Sequence, residues 1–322
     1  MEINYKQTIV EYLRLLQLKE KLSHDPRSKY KERAYKNAID NILLFTHTIK
    51  SMDDVQNIKG IGKSIKEKIE YIIQNYGKKD EQSLMRKEED IIKLTQIYGI
   101  GIKKALELVN KGVYFSNLHK HLHELNPTQR RGFELLDDFN ERIPFKEMQK
   151  HEFLIKKIIQ SLKIKPTPYV SIVGSYRRKE ASSGDIDVLI SSSQNDTLNL
   201  IVNKLKEEDY IRYTFAQGTH KFMGSCKITD RYRRLDILIT HPNIYPFALL
   251  YFTGSPEFNV LMRKHALEMG YSLSEYGIKK LKRNNEIQID FAFRQESDIF
   301  AFLGLRYLPP SKRYATYFYK TL

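Results

Sequence analysis

Apolar positions follow a helical period over the first part of the chain and a strand-like period over the second. Up to about residue 80, Tyr12, Leu13, Leu15, Leu16 and Leu18 form one stripe, and Ala34, Ala38, Ile42 and Phe45 another. Spacings of three and four predict amphipathic helices with one buried face. A further helix is predicted over Glu147–Leu162, ended by Pro166 and Pro168. Leu125–Gln129 reads as a turn. Beyond the prolines, β-branched runs take over: Tyr169–Val173, then Val188–Ile190, then Arg233–Ile239. These predict strands of an antiparallel or mixed sheet that ends at Thr240, followed by a turn at His241-Pro242-Asn243. A last small region is expected from about residue 250. The class that follows is α+β.

The chemistry concentrates between the first two strand runs. Gly174-Ser175-Tyr176-Arg177-Arg178 precedes Ser183-Gly184-Asp185-Ile186-Asp187, so a small-residue turn, two arginines and two alternating acids fall together. Alternate strand residues share a face, which groups Asp185 with Asp187 and turns Ile186 and Val188 the other way. Carboxylates so close repel unless a cation sits between them, and Mg²⁺ suits such oxygen ligands together with substrate phosphates. Asp236 lies in Arg233-Arg234-Leu235-Asp236-Ile237-Leu238-Ile239, where an acid is costly unless it is paired or ligates a metal. It supplies a third ligand for two metal ions, an arrangement suited to in-line attack on a phosphate. A plain solvated turn would leave the paired arginines without a reason.

A second device occurs twice. Ile58-Lys59-Gly60-Ile61-Gly62-Lys63 and Ile97-Tyr98-Gly99-Ile100-Gly101-Ile102 each place a Gly-Ile-Gly core before a basic helix. Such turns expose backbone N–H groups to a phosphate. One copy alone would be read as glycine ending a helix for structural reasons.

Composition narrows the partners. The 322 residues suffice for more than one domain, and 54 Lys and Arg against 39 Asp and Glu give a formal charge of +15. That balance points to a polyanion, although RNA or an acidic membrane would satisfy it equally. The single cysteine, Cys226, excludes an internal disulfide framework and fits a reducing compartment. No apolar run reaches bilayer length and no signal-peptide core opens the chain. A soluble intracellular protein is expected.

The run from Gly174-Ser175 to Asp187 resembles the nucleotidyltransferase signature. Leu250-Tyr251-Phe252-Thr253-Gly254-Ser255, Phe258-Asn259, Met262-Arg263, His265-Ala266-Leu267, Gly270 and Leu273-Ser274-Glu275-Tyr276 resemble, more narrowly, the family X DNA polymerases. The resemblance extends over essentially the whole chain. It implies a helical 5′-deoxyribose phosphate lyase and DNA-binding domain at 1–80 with the first helix-hairpin-helix. A DNA-binding subdomain with the second follows at 81–145, then a catalytic palm at 146–249 and a nucleotide-selecting subdomain at 250–322. Glu141–Phe145 would be the hinge into the catalytic region.

By the same resemblance, Asp185, Asp187 and Asp236 hold two Mg²⁺ ions, for which Mn²⁺ substitutes, and Asp236 receives the primer hydroxyl proton. Ser175, Arg178, Ser183 and Gly184 bind the triphosphate, while Arg177 is left open between packing and DNA contact. Tyr251, Phe252 and Gly254 lie against the incoming sugar and exclude a 2′-hydroxyl, and Asn259 and Arg263 touch the nascent pair and template. Lys221 and Arg234 contact DNA, as do Gly60, Gly62, Gly99 and Gly101 of the hairpins. Carbonyls around Ile58 and Ile61, and around Thr95, Ile97 and Ile100, hold Na⁺ or K⁺. Lys68 is the Schiff-base lysine, with Lys63, Lys66, Lys29, Lys31, Arg33 and Tyr35 near its pocket.

The chain departs from the family pattern at several points. Ser64 replaces a second pocket lysine, which puts the lyase in doubt. Leu238 stands where one branch of the family carries arginine, and Pro256 occupies a variable site near the incoming base. The connections at about 191–199 and 228–232 look short, and no BRCT-like extension is expected to recruit the protein. The expected function is template-directed filling of short gaps in base excision repair, from dNTPs and gapped or nicked duplex DNA, by a monomer with a repair ligase as partner. The alternatives are a template-independent or RNA-tailing nucleotidyltransferase and a catalytically inactive DNA-binding accessory protein.

Overall fold

The computed structural model describes residues 4–22, 28–56, 58–75, 83–281 and 291–318. The chain divides into two compact units, Met1–Leu136 and Asp137–Leu322. The first unit contains α1 (Lys6–Leu22), α2 (Ser28–Leu44), α3 (Met52–Gln56), α4 (Lys63–Asn75), α5 (Ser83–Thr95), α6 (Ile102–Asn110) and α7 (Pro127–Glu134). The predicted stripes drive the packing. Leu13, Leu16, Ala38 and Ile42 meet Ile61, Ile65, Ile69 and Ile72 of the first hairpin in one core. Leu94, Ile97, Ile100, Ala105 and Leu108 form a second core around the other hairpin. The side chains of Leu15, Leu18 and Lys29 lie outside the described residues.

After α8 (Leu136–Asn140), the second unit holds β1 (Ile143–Pro144), α9 (Phe145–Ser161), β2 (Tyr169–Ile172), α10 (Gly174–Arg177), β3 (Ser182–Ser183) and β4 (Ile186–Ser191). Next come α11 (Thr197–Glu207), β5 (Ile211–Gln217), β6 (Lys221–Cys226), β7 (Arg233–Thr240), α12 (Tyr245–Thr253) and α13 (Pro256–Glu268). The unit closes with β8 (Tyr271–Ser274), β9 (Gly277–Lys280), α14 (Glu296–Phe302) and α15 (Ala315–Phe318). Helix α9 starts two residues before the predicted Glu147, because Phe145 N–H is already held by Ala181 O at 3.0 Å.

The main sheet has the order β2-β4-β7-β6-β5. It is mixed, with β4 and β7 parallel and the other pairs antiparallel. Val188, Leu189 and Ile190 of β4 are fully buried, the unbroken apolar run expected of a strand covered on both faces. Helices α9 and α11 close one face through Ile155, Ile159, Leu198, Ile201, Val202 and Leu205. On the other face, Val173 and Leu189 pack on Ala248 and Leu249 of α12. Among the described residues no helix is long and apolar enough to cross a membrane.

Candidate active site

The parallel register of β4 and β7 sets Asp187 directly beside Asp236. Neighbouring strands lie about 4.8 Å apart, so the two carboxylates leave the same face at close range. Asp185 immediately precedes β4. Along β7, Arg233, Leu235 and Ile237 are buried while Arg234 and Asp236 face the acids, the alternation a strand imposes. Burial and then the charges of Asp185 and Asp236 push the Asp187 carboxyl up to about 7. Burial likewise raises Asp236, against the opposing pull of Lys221 and Arg234.

Two cations of the chain already engage these acids. Arg234 Nη2 donates to Asp185 Oδ2 at 2.6 Å, and Lys221 Nζ lies 3.5 Å from Asp236 Oδ2. The two side chains expected to touch DNA therefore sit on the acid cluster. Among the described residues, no group of three or more His, Cys, Asp or Glu side chains is gathered closely enough to hold a metal ion unaided. Hard oxygen donors that repel one another still fit Mg²⁺, which takes few protein carboxylates and completes its shell with phosphate and water oxygens. Asp185, Asp187 and Asp236 are the residues that would hold it.

The small-residue turn wraps the end of β4. Gly174 has φ +63, and a Cβ there would stand 2.8 Å from Asp187 Oδ2, so only glycine lets the turn approach the acid. Ser175 Oγ donates to Ser183 Oγ at 3.0 Å, bringing two residues expected at the triphosphate into contact. Arg178 Nη1 donates to Thr253 O at 2.6 Å, and its Nε donates to Glu180 Oε1 at 2.9 Å. Gly254, with φ +69, leaves room for that guanidinium: a Cβ would come within 3.1 Å of Arg178 Nη1.

Arg177, left open by the sequence, is drawn into packing. It donates to Thr253 Oγ1 at 2.6 Å and to both oxygens of Glu296 at 3.0 and 2.7 Å. Glu296 also accepts from the fully buried Arg313 at 2.6 Å. Burial alone would raise the Glu296 carboxyl, but Arg313 and Arg177 outweigh it and hold it below its usual range.

Tyr251, Asn259 and Arg263 line one pocket with Phe247, Met262 and Leu273. Tyr251 and Phe252 meet edge-on, with centroids 5.1 Å apart, and Phe252 packs against the α12 core. Asn259 Nδ2 donates to Tyr251 O at 2.7 Å, and Arg263 Nε to Asn259 O at 3.2 Å.

Sequence reasoning missed Arg142, which it treated only as part of a hinge. Its Nε donates to Ser182 Oγ at 3.1 Å and its Nη2 to Ser182 O at 2.5 Å. Pairing of Ile143 with Ser183 carries Arg142 to the Ser183-Gly184 turn. It also missed Arg233, buried behind the acids and held by Glu147 through two bonds of 2.8 and 3.1 Å. A cation inside an apolar strand run was the available signal in that case.

In the first unit, Gly60 and Gly99 have φ +80 and +83, the left-handed turns that a hairpin of this kind needs. Gly62 O accepts from Ile65 and Lys66 N–H, and Gly101 caps α6 in extended conformation. Gly99 O accepts from Gln129 Nε2 at 2.9 Å and Ile97 O from Ile100 N–H at 3.0 Å. Thr95 Oγ1 donates to Ile92 O at 2.8 Å, and the side chains of Ile58, Ile61, Ile97 and Ile100 are buried. Lys68 is half-buried on α4, and no carboxylate pairs with it among the described residues. Tyr35 is buried, Ser64, Lys63 and Arg33 are exposed, and Lys31 lies 3.6 Å from Glu20.

Three stretches of the chain match models of known protein families. Residues 4–78 match a helix-hairpin-helix domain, 142–242 the DNA polymerase beta palm, and 248–314 the DNA polymerase beta thumb. DNA polymerase lambda of Arabidopsis thaliana is 28% identical over 327 positions, covering 93% of this chain and 60% of its own length. The protein of the same name from Rattus norvegicus is 27% identical, covering 96% and 56%. DNA nucleotidylexotransferase of Xenopus laevis is 25% identical, covering 83% and 61%. The chain thus spans about three fifths of the length of the relatives it matches.

Proposed function

From the premise that the chain belongs to family X of the DNA polymerases, we propose that it inserts deoxynucleotides, directed by a template, into short gaps in duplex DNA. The observation that carries this reading is the β4–β7 register, which sets Asp187 beside Asp236 within reach of Asp185 and the Ser175–Gly184 turn.

The primer 3′-oxygen attacks the α-phosphorus, the bond to the bridging oxygen breaks, and pyrophosphate leaves. Asp236 accepts the hydroxyl proton directly or through solvent. Two Mg²⁺ ions, or Mn²⁺ in their place, supply activation of the hydroxyl and charge neutralisation on the leaving group when bound. Ser175, Ser183, the Gly184 backbone, Arg178 and Arg142 offset the β and γ charges, with Arg178 exchanging Glu180 for phosphate. Lys221 and Arg234, which sit on Asp236 and Asp185 here, contact the DNA phosphates, and Asp185, Asp187 and Asp236 are the residues that would hold the metal ions. Tyr251, Phe252 and Gly254 crowd the sugar, while Asn259 and Arg263 read the minor-groove edge.

The hairpins at Gly60-Gly62 and Gly99-Gly101 grip the DNA backbone without reading sequence, with Na⁺ or K⁺ on their loop carbonyls. Lys68 is assigned to the lyase: its neutral amine condenses with the sugar aldehyde, water leaves, and β-elimination breaks the C3′–O bond. These activities fit a monomer acting in base excision repair ahead of a ligase. The rival is an exotransferase like the one the Xenopus laevis relative's name describes. Asp236→Ala tests the assignment: insertion is lost while gapped-DNA affinity stays within about twofold, and parallel loss of binding would make the residue structural.

A further inference from the structure

Away from the acids, the second unit carries a cleft of about 610 Å³ to which no role has been assigned. Tyr169, Tyr245, Tyr307, Arg177, Arg294 and Glu296 are among the residues that line it. The volume is ordinary for a small-molecule site.

The aromatic side chains are presented and braced. Tyr169 opens edge strand β2 and is 64% exposed. Its ring meets Tyr245 at 5.4 Å and 88°, and Tyr245 Oη donates to Ser171 Oγ at 2.9 Å. Tyr307, 43% exposed, is braced edge-on by Phe300 at 5.2 Å. Edge-on neighbours thus hold the Tyr169 and Tyr307 rings, and both residues remain exposed.

The charges are unbalanced toward cation. Glu296 is neutralised by both Arg177 and Arg313. Arg294 donates its backbone N–H to Asp298, whose carboxylate also feels the Arg294 charge, but the exposed guanidinium makes no close ion pair or side-chain hydrogen bond among the described residues. Open π-faces beside an exposed guanidinium complement a planar base and its phosphate.

We propose that this cleft is a second nucleotide site, taking the base against Tyr169 or Tyr307 and the 5′-phosphate on Arg294. The ligand is a nucleoside monophosphate unit, supplied either as a free nucleotide or as one residue of a single strand. It is separate from the triphosphate turn, and Arg177, joined to Glu296 on the cleft side and flanking Arg178 on the other, links the two.

The test titrates the full chain in EDTA with two probes, mant-AMP and a short fluorescein-labelled oligothymidylate, by fluorescence anisotropy. At least one probe is expected to bind. Tyr169→Ala and Arg294→Ala should each weaken it about tenfold, Tyr169→Phe should retain it, and Arg178→Ala should leave it unchanged. Binding of mant-AMP identifies a free nucleotide, and binding of the oligonucleotide alone identifies a strand. Absence of binding by both probes at millimolar concentration overturns the site. So does affinity insensitive to both alanine variants, or loss on Arg178→Ala. Because Tyr169 and Arg294 stand outside the acid cluster, both variants keep gap insertion, and failure here leaves the polymerase reading standing.

Discussion

Replacing Asp187 by asparagine should stabilise the metal-free protein, and only above acidic pH. The carboxyl is raised from 3.8 to about 7, by burial first and then by the charges of Asp185 and Asp236. Its proton affinity is therefore higher in the folded than in the unfolded chain. The resulting penalty on the folded state is absent below about pH 3.8, grows as pH rises towards 7, and is constant above that. An interval of this size corresponds to about 4 kcal/mol. Asparagine keeps the shape and carries no charge, so Asp187→Asn should gain about 2–4 kcal/mol at pH 8 in EDTA, or about 5–10 °C in the transition of the second unit. At pH 4 the gain should vanish. Differential scanning calorimetry at the two pH values reads both. An unchanged midpoint at pH 8, or a gain that persists at pH 4, would refute a cost of burying the ionised Asp187 carboxylate beside Asp185 and Asp236.

Other outcomes follow from single contacts. Mg²⁺ should bind the wild-type protein more tightly as pH rises from 6 to 8, releasing about one proton near pH 7, measurable by calorimetry in buffers of different ionisation enthalpy. Glu296→Gln leaves Arg177 and Arg313 without their shared carboxylate and should cost about 3–5 kcal/mol, read by urea denaturation. Gly174→Ala meets both φ +63 and a 2.8 Å approach to Asp187. It should cost at least about 1–2 kcal/mol and lower kcat, where an unaltered kcat would deny the turn its close approach. Lys68→Ala should abolish borohydride trapping on a 5′-deoxyribose phosphate end without changing gap insertion, and trapping that persists would move the nucleophile elsewhere.

Local pattern carried much of this. The apolar run Val188–Ile190 and the alternating Arg233–Ile239 mark strands because side-chain period is a property of adjacent residues, and the three acids are visible just before the first run and within the second. What the sequence could not carry is pairing across distance. Arg177 and Glu296 lie 119 positions apart, Arg142 and Ser182 lie 40, and nothing in either segment alone names its partner. Arg177 was consequently undecided and Arg142 overlooked. Lys221 and Arg234 are expected at DNA by resemblance; that strand alternation and the β6–β7 register also bring them to Asp236 and Asp185 is a long-range fact no local pattern carries. Helix α9 starts at Phe145, earlier than the pattern alone predicts, where the first N–H donates to Ala181 O, a partner far along the chain just before Ser182.

Insertion into a single-nucleotide gap, with each templating base tested against each dNTP in Mg²⁺, bears most directly on the central claim. The account predicts addition of one complementary nucleotide opposite every template base, abolished by Asp236→Ala. Addition indifferent to the templating base, or none with any dNTP, would contradict it.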